Sequence, residues 1–265
     1  MTRSRFKTSM KLAAVIVRCG VLLSAIPAQA TIVDLIHGDS GSINGAIFDF
    51  TTQQPTGTGV IQPFLRVQND PVEQGYNTSG TPVPFDGRAG PWTHDLTFTE
   101  LQSTIVTVGN TNYFRLLLDI NQSNSHPLLS LDQLQFYTSP IGSQTTTDIS
   151  SLGTLRFSFS PGDAVYLDAS RNHGSGSGDM FAYIPTSAFA GTSSSDFVYL
   201  YCHFGSTYPT NGGFEEWSRV IAPIPEVSTF FPVIGLIVAV VSTYELRRRG
   251  LKQMARERSL SKVKS

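Results

Sequence analysis

Between Thr31 and Ala222 no stretch sustains an apolar repeat of 3.6 residues, and this absence limits the chain to folds that do not depend on amphipathic helices. Short runs rich in Val, Ile, Thr, Tyr and Phe recur instead, separated by clusters of Gly, Pro, Asn, Asp and Ser. The pattern predicts strands over residues 31–36, 46–52, 59–67, 95–100, 104–108, 113–120, 133–138, 154–158, 164–168, 180–184, 196–203 and 216–221. In one of these, Phe197, Tyr199 and Tyr201 fall on one face and Val198, Leu200 and Cys202 on the other. Twenty glycines and eleven prolines punctuate residues 31–222. The expected fold is all-β, a single jelly-roll-like β-sandwich. A parallel α/β sheet is excluded, because its crossovers need helices of about a dozen residues.

Charge divides the chain into three parts. Residues 1–30 hold five basic side chains and no acid, and residues 223–265 hold eight against three glutamates. The body, 31–222, has six arginines, no lysine and seventeen acids, a formal charge of −11. Such a surface repels a phosphate backbone, so nucleic acid is excluded as a partner.

The two ends read as addresses. In residues 1–30 a basic start precedes apolar blocks at 12–17 and 21–26, then Ala28-Gln29-Ala30, the small-x-small pattern cut by signal peptidase. Met1 and Met10 both serve as candidate starts. Near the other end, Pro225-Glu226-Val227 precedes an apolar run over 230–243 and then Arg247-Arg248-Arg249. A helix over 230–246 would be about 25 Å long, slightly short of a hydrocarbon core of about 30 Å. The arginines orient it with the positive side inside, placing 31–222 outside the cytoplasmic membrane. Residues 250–265 then form a basic cytoplasmic tail. Removal of the leader leaves Cys202 as the only cysteine, so a core without disulfides is expected.

The order of leader, Pro-Glu-x motif, short apolar helix and arginine cluster resembles the PEP-CTERM surface proteins of Gram-negative bacteria. Pro225, Glu226, Val227, Arg247, Arg248 and Arg249 carry the likeness, with Val227 where the motif has its second proline. The resemblance implies recognition by an exosortase-type membrane peptidase, anchoring in the cytoplasmic membrane, then delivery to the cell surface or extracellular matrix, with exopolysaccharide as an associated partner. The body is also similar to the exported domain that often accompanies this signal, in the segments at 42–46, 73–77, 90–94, 117–121, 129–132, 174–180 and 212–217. That likeness implies a class and no reaction.

The body carries residues suited to three kinds of chemistry. Gly38-Asp39-Ser40 echoes serine hydrolases, which would make Ser40 a nucleophile, but the histidine and acid spacing of those enzymes is missing and a turn accounts for the segment. Carboxylates and amides at predicted strand ends suit calcium, a hard cation that takes oxygen ligands. Asp119, Asn121, Asp179 and Glu216 are the candidate ligands. Trp92, Trp217, Tyr76 and Tyr208 lie in or beside polar, Gly-rich segments where a ring could stack on a sugar, although large aromatics more often cover the ends of a core. The expected function is that of a non-enzymatic, exported cell-envelope or matrix protein. The alternatives are a calcium-dependent carbohydrate-binding module and, more distantly, a secreted serine hydrolase.

Overall fold

A computed structural model of the chain describes residues 29–53, 62–85, 90–172 and 178–220, together with Thr243, Tyr244 and Arg248. Fourteen strands fall within them. They are β1 (Ile32–Asp34), β2 (Ser40–Ile43), β3 (Ala46–Gln53), β4 (Gln62–Val67), β5 (Glu73–Tyr76), β6 (Leu96–Thr97) and β7 (Ile105–Val108) in the first half. The second half adds β8 (Thr111–Asp119), β9 (Leu128–Ser139), β10 (Thr154–Ser158), β11 (Ala164–Asp168), β12 (Gly178–Pro185), β13 (Phe197–Phe204) and β14 (Glu215–Arg219). Sheet I runs β1-β11-β9-β13-β5, with β10 also on β9 and β6 on β13. Sheet II runs β2-β3-β12-β8-β14-β4, with β7 also on β8. The described part of the body is thus all-β and sandwich-like, with a short five-residue α-helix, α1 (Phe98–Gln102), between β6 and β7.

The alternation in β13 explains how the sheets are covered. Val198, Leu200, Cys202 and Phe204 join Phe48, Leu116, Leu118 and Trp217 of sheet II in the main core. Tyr199 and Tyr201, on the other face, enter a second cluster with Tyr76, Tyr137 and Leu152. The hydroxyl of Tyr199 donates to Ile141 O at 2.7 Å, and that of Tyr76 to Thr146 O at 2.9 Å, so the segment after β9 is tied over the outer face of sheet I. The outer face of the sheet is therefore covered around Tyr76, Tyr137, Tyr199 and Tyr201. Burial pushes the phenols of Tyr76, Tyr199 and Tyr201 up to about 12.

All twelve expected strands have a counterpart, though β1 covers only half of 31–36 and β9 is twice the length of 133–138. Two were misplaced in part. Residues 95–100 contain the two-residue β6 and then α1, because Thr97 and Glu100 form a capping box that starts a helix. The strand expected over 216–221 begins at Glu215 and ends at Arg219, and residue 221 lies outside the described residues. Most of the leader, the Pro225-Glu226-Val227 motif and the apolar run also lie outside them. Among the described residues no helix is long and apolar enough to cross a membrane.

Acids at turns mostly serve the backbone. Asp34 accepts the N–H of Ile36, Asp148 that of Ser150, Asp168 that of Ser170 and Asp196 that of Ser193. Each holds an otherwise unpaired donor in a tight turn.

Candidate functional site

The ends of β5, β8, β12 and β14 gather four deeply buried carboxyl groups. Glu73, Asp119, Asp179 and Glu215 are each no more than 3% exposed. Pairing within sheet II brings three acids abreast. Glu216 lies opposite Asp119, while Met180 opposite Leu118 sets Asp179 beside them. Trp217 and Leu118 both enter the core, so Glu216 and Asp119 stand on the opposite face of the sheet. By the same parity Glu215 shares the inward face with Trp217 and points toward sheet I.

There Glu215 meets Glu73, the first residue of β5, carboxyl to carboxyl. The other oxygen of each is held by a neutral donor: Asn69 N–H binds Glu73 Oε2 at 3.0 Å and Gln122 Nε2 binds Glu215 Oε1. Burial pushes the Glu215 carboxyl up, against the pull of these donors and with Asp70 adding like charge. Asp179 is pushed up to about 8, first by burial, then by the neighbouring Asp119, Glu215 and Asp168, while the Ile120 N–H opposes at 2.8 Å. Close packing continues beside the pair. Asn121 donates through Nδ2 to Phe214 O at 2.9 Å, and a Cβ at Gly213 would lie 1.5 Å from Asn121 O.

The candidate calcium ligands do not converge as a set. Asp119 and Asp179 are neighbours, the Asn121 side chain is committed to Phe214, and Glu216 has Arg66 as its charged neighbour. Among the described residues no group of three or more His, Cys, Asp or Glu side chains is placed to hold a metal ion.

The four rings proposed for sugar stacking divide evenly. Trp217 and Tyr76 are fully buried and present no face to solvent, which corrects the expectation for both: each is the large aromatic its part of the core is built around. Trp92 is 41% exposed. Tyr208 is half-buried against Tyr166, with ring centroids 5.0 Å apart, and lines a cavity of about 500 Å³ with His126, Pro127, Leu128, Pro209 and Asn211. Ser40 lies on β2 and donates to Asp49 Oδ1, while the His37 ring pairs with Asp34 at 2.9 Å; among the described residues no hydrogen bond joins Ser40 to a histidine.

Sequence reasoning picked Glu216 and passed over its neighbour Glu215. Spacing held the signal, since a residue two before a core tryptophan on a strand faces the core with it. Glu73 had no comparable signal, because Glu-Gln-Gly-Tyr lacks strand character.

Comparisons with protein-family models, with curated proteins and with solved structures return no match for the chain.

Proposed function

We propose that the chain is an exported, non-enzymatic protein of the cell envelope or extracellular matrix, with a jelly-roll-like body that is delivered by the leader at 1–30 and held in the cytoplasmic membrane by a helix over 230–246. In this reading signal peptidase removes the leader, an exosortase-type peptidase acts at Pro225-Glu226-Val227, and exopolysaccharide surrounds the mature protein. The observation that carries it is the state of the body's cations. Arg66 lies over the Phe214 ring, Arg115 over Phe181 and Arg171 over Phe50, Arg156 binds Thr138 and Ala190 O, and Arg219 pairs with Glu100. With its described arginines spent internally and no lysine in the body, the surface left to solvent is acidic. It suits a hydrated neutral or cation-bridged polymer and repels anionic ones.

Protease added to intact spheroplasts tests the reading: the acidic body should be digested without lysis. Intact mass in membrane and matrix fractions should show the leader removed and the C-terminal segment cut in the matrix form. Protection of the body until lysis would reject the assignment.

A calcium-dependent carbohydrate-binding module is the second reading, favoured by Tyr208 in its cavity. A glycan array with and without EDTA separates the two, since specific, EDTA-sensitive binding would favour the module.

A further inference from the structure

We propose that Asp163 is the docking site for the new α-ammonium group created when the chain is cut after Ala30. The inference rests on the export reading above, and specifically on cleavage at the Ala28-Gln29-Ala30 pattern. Its observation is a separate one: the partner that folding supplies to Asp163.

Asp163 heads β11 and is 3% exposed. Its Oδ2 accepts the Ser160 N–H at 2.7 Å, closing the turn before the strand. Its Oδ1 accepts the backbone N–H of Thr31, also at 2.7 Å, and Thr31 O in return accepts the Ala164 N–H at 3.1 Å. From that clamp β1 runs parallel to β11, with Ile32 opposite Ala164 and Val33 opposite Val165. Among the described residues no ion pair involves Asp163. A buried carboxylate held only by neutral amides has lost its water without gaining a counter-charge.

Cleavage supplies that charge at the right atom. Hydrolysis of the Ala30–Thr31 peptide bond adds water across it. Ala30 keeps a carboxylate on the departing leader, and Thr31 nitrogen becomes an ammonium with three N–H donors. That nitrogen already lies at hydrogen-bond distance from Asp163 Oδ1, so a neutral bond becomes a charge-assisted one without a change of backbone position. Gln29, Ala30 and Thr31 are exposed, so the bond lies at the surface. Maturation thus does more than remove the leader: it completes the ion pair that fastens β1 to the edge of sheet I.

The test uses protein exported from the full-length gene and an amine-reactive acylating reagent at about pH 7. The body contains no lysine, so acylation of the tryptic peptide from Thr31 to Arg66 reports the α-amine alone. Intact mass first fixes the N-terminus. With Thr31 first, native protein should acylate about tenfold more slowly than the same protein in urea, the effect of one unit of pKa elevation. Asp163→Asn should bring the native rate to within about twofold of the unfolded rate. A second variant with Gly-Ser inserted between Ala30 and Thr31 keeps Asp163 and moves the amine away, and it should acylate just as fast. If mature protein starts at Thr31 and labels equally fast folded and unfolded, the docking is wrong while the export reading survives. If it starts elsewhere, the cleavage reading fails and the docking goes with it.

Discussion

Glu73 of sheet I and Glu215 of sheet II face each other inside the sandwich, each no more than 1% exposed. Two carboxyl groups so close and so buried are costly to ionise together, which favours one of them keeping its proton. Asp70 and Asp179, both acids, add like charge beside the pair.

The pair makes stability fall as pH rises. A carboxyl whose folded pKa is raised contributes fully below its unfolded value near 4 and loses that contribution as pH climbs through the folded value. Glu215→Gln supplies an amide donor that never ionises. Thermal melts should show this variant no more stable than the parent at about pH 4 and more stable at about pH 9. Parallel melting curves for the two proteins across that range would contradict the retained proton.

Asp179 adds a second proton linkage, coupled to the first through Glu215. Its carboxyl titrates at about 8, against an ordinary value near 3.9. Between these values the group costs about 1.4 kcal/mol of stability per pH unit, or about 2–4 °C in Tm for a body of this size. Asp179→Asn retains an oxygen acceptor for the Ile120 N–H and should remove that slope, as read by chemical denaturation at several pH values.

Cys202 should be silent to thiol reagents in the folded protein. It is fully buried, and burial, reinforced by Glu73 and Glu215, raises its thiol well above the usual range. A chromogenic disulfide reagent at about pH 8 should register no thiol until denaturant is added, and then one per mature chain.

Gly213 and Gly191 should respond differently to alanine. A Cβ at 213 would lie 1.5 Å from Asn121 O, which no side-chain rotation relieves. At 191 nothing lies within 4 Å, and only a φ of +77° opposes the change. Gly191→Ala should cost about 1 kcal/mol, and Gly213→Ala at least about 3 kcal/mol or the folded state itself. Denaturant midpoints of the two variants give the comparison.

The aromatic positions also separate by outcome. Trp217→Ala should destabilise by about 3–5 kcal/mol, because a fully buried indole leaves a large void. Trp92→Ala and Tyr208→Ala should shift Tm little. If the body binds sugar, these two variants weaken retention on a polysaccharide column while the fold stays intact.

Strands that turn inward and outward were legible in the sequence, and those that fail to alternate were not. In β13 the split between Val198-Leu200-Cys202 and Tyr199-Tyr201 became two separate clusters, as the order of residues implied. β2 and β5 were missed because Ser-Gly-Ser-Ile and Glu-Gln-Gly-Tyr have weak strand propensity and form through their partners, Ala46–Asp49 and Tyr201–Phe204. β9 was read too short because the exchange of β11 for β10 along one edge, and the register shift against His203 and Phe204 on the other, leave no mark in local composition. The capping box at Thr97 was readable and was overridden by the surrounding β pattern. At the candidate site the acids were visible, and their burial was not. Single-strand spacing cannot show that Glu73 and Glu215 arrive from opposite sheets.

The pairing map also bears on when this molecule can fold. Ile32 waits for Ala164, Gln53 for Gly178, Val67 for Glu215 and Tyr76 for Tyr201, each more than a hundred residues downstream. Apart from the short β2–β3 hairpin, strands β1 to β5 gain their sheet partners only from residues 164–219. A newborn chain with this order of contacts stays loose and threadable through synthesis, then closes late and all at once.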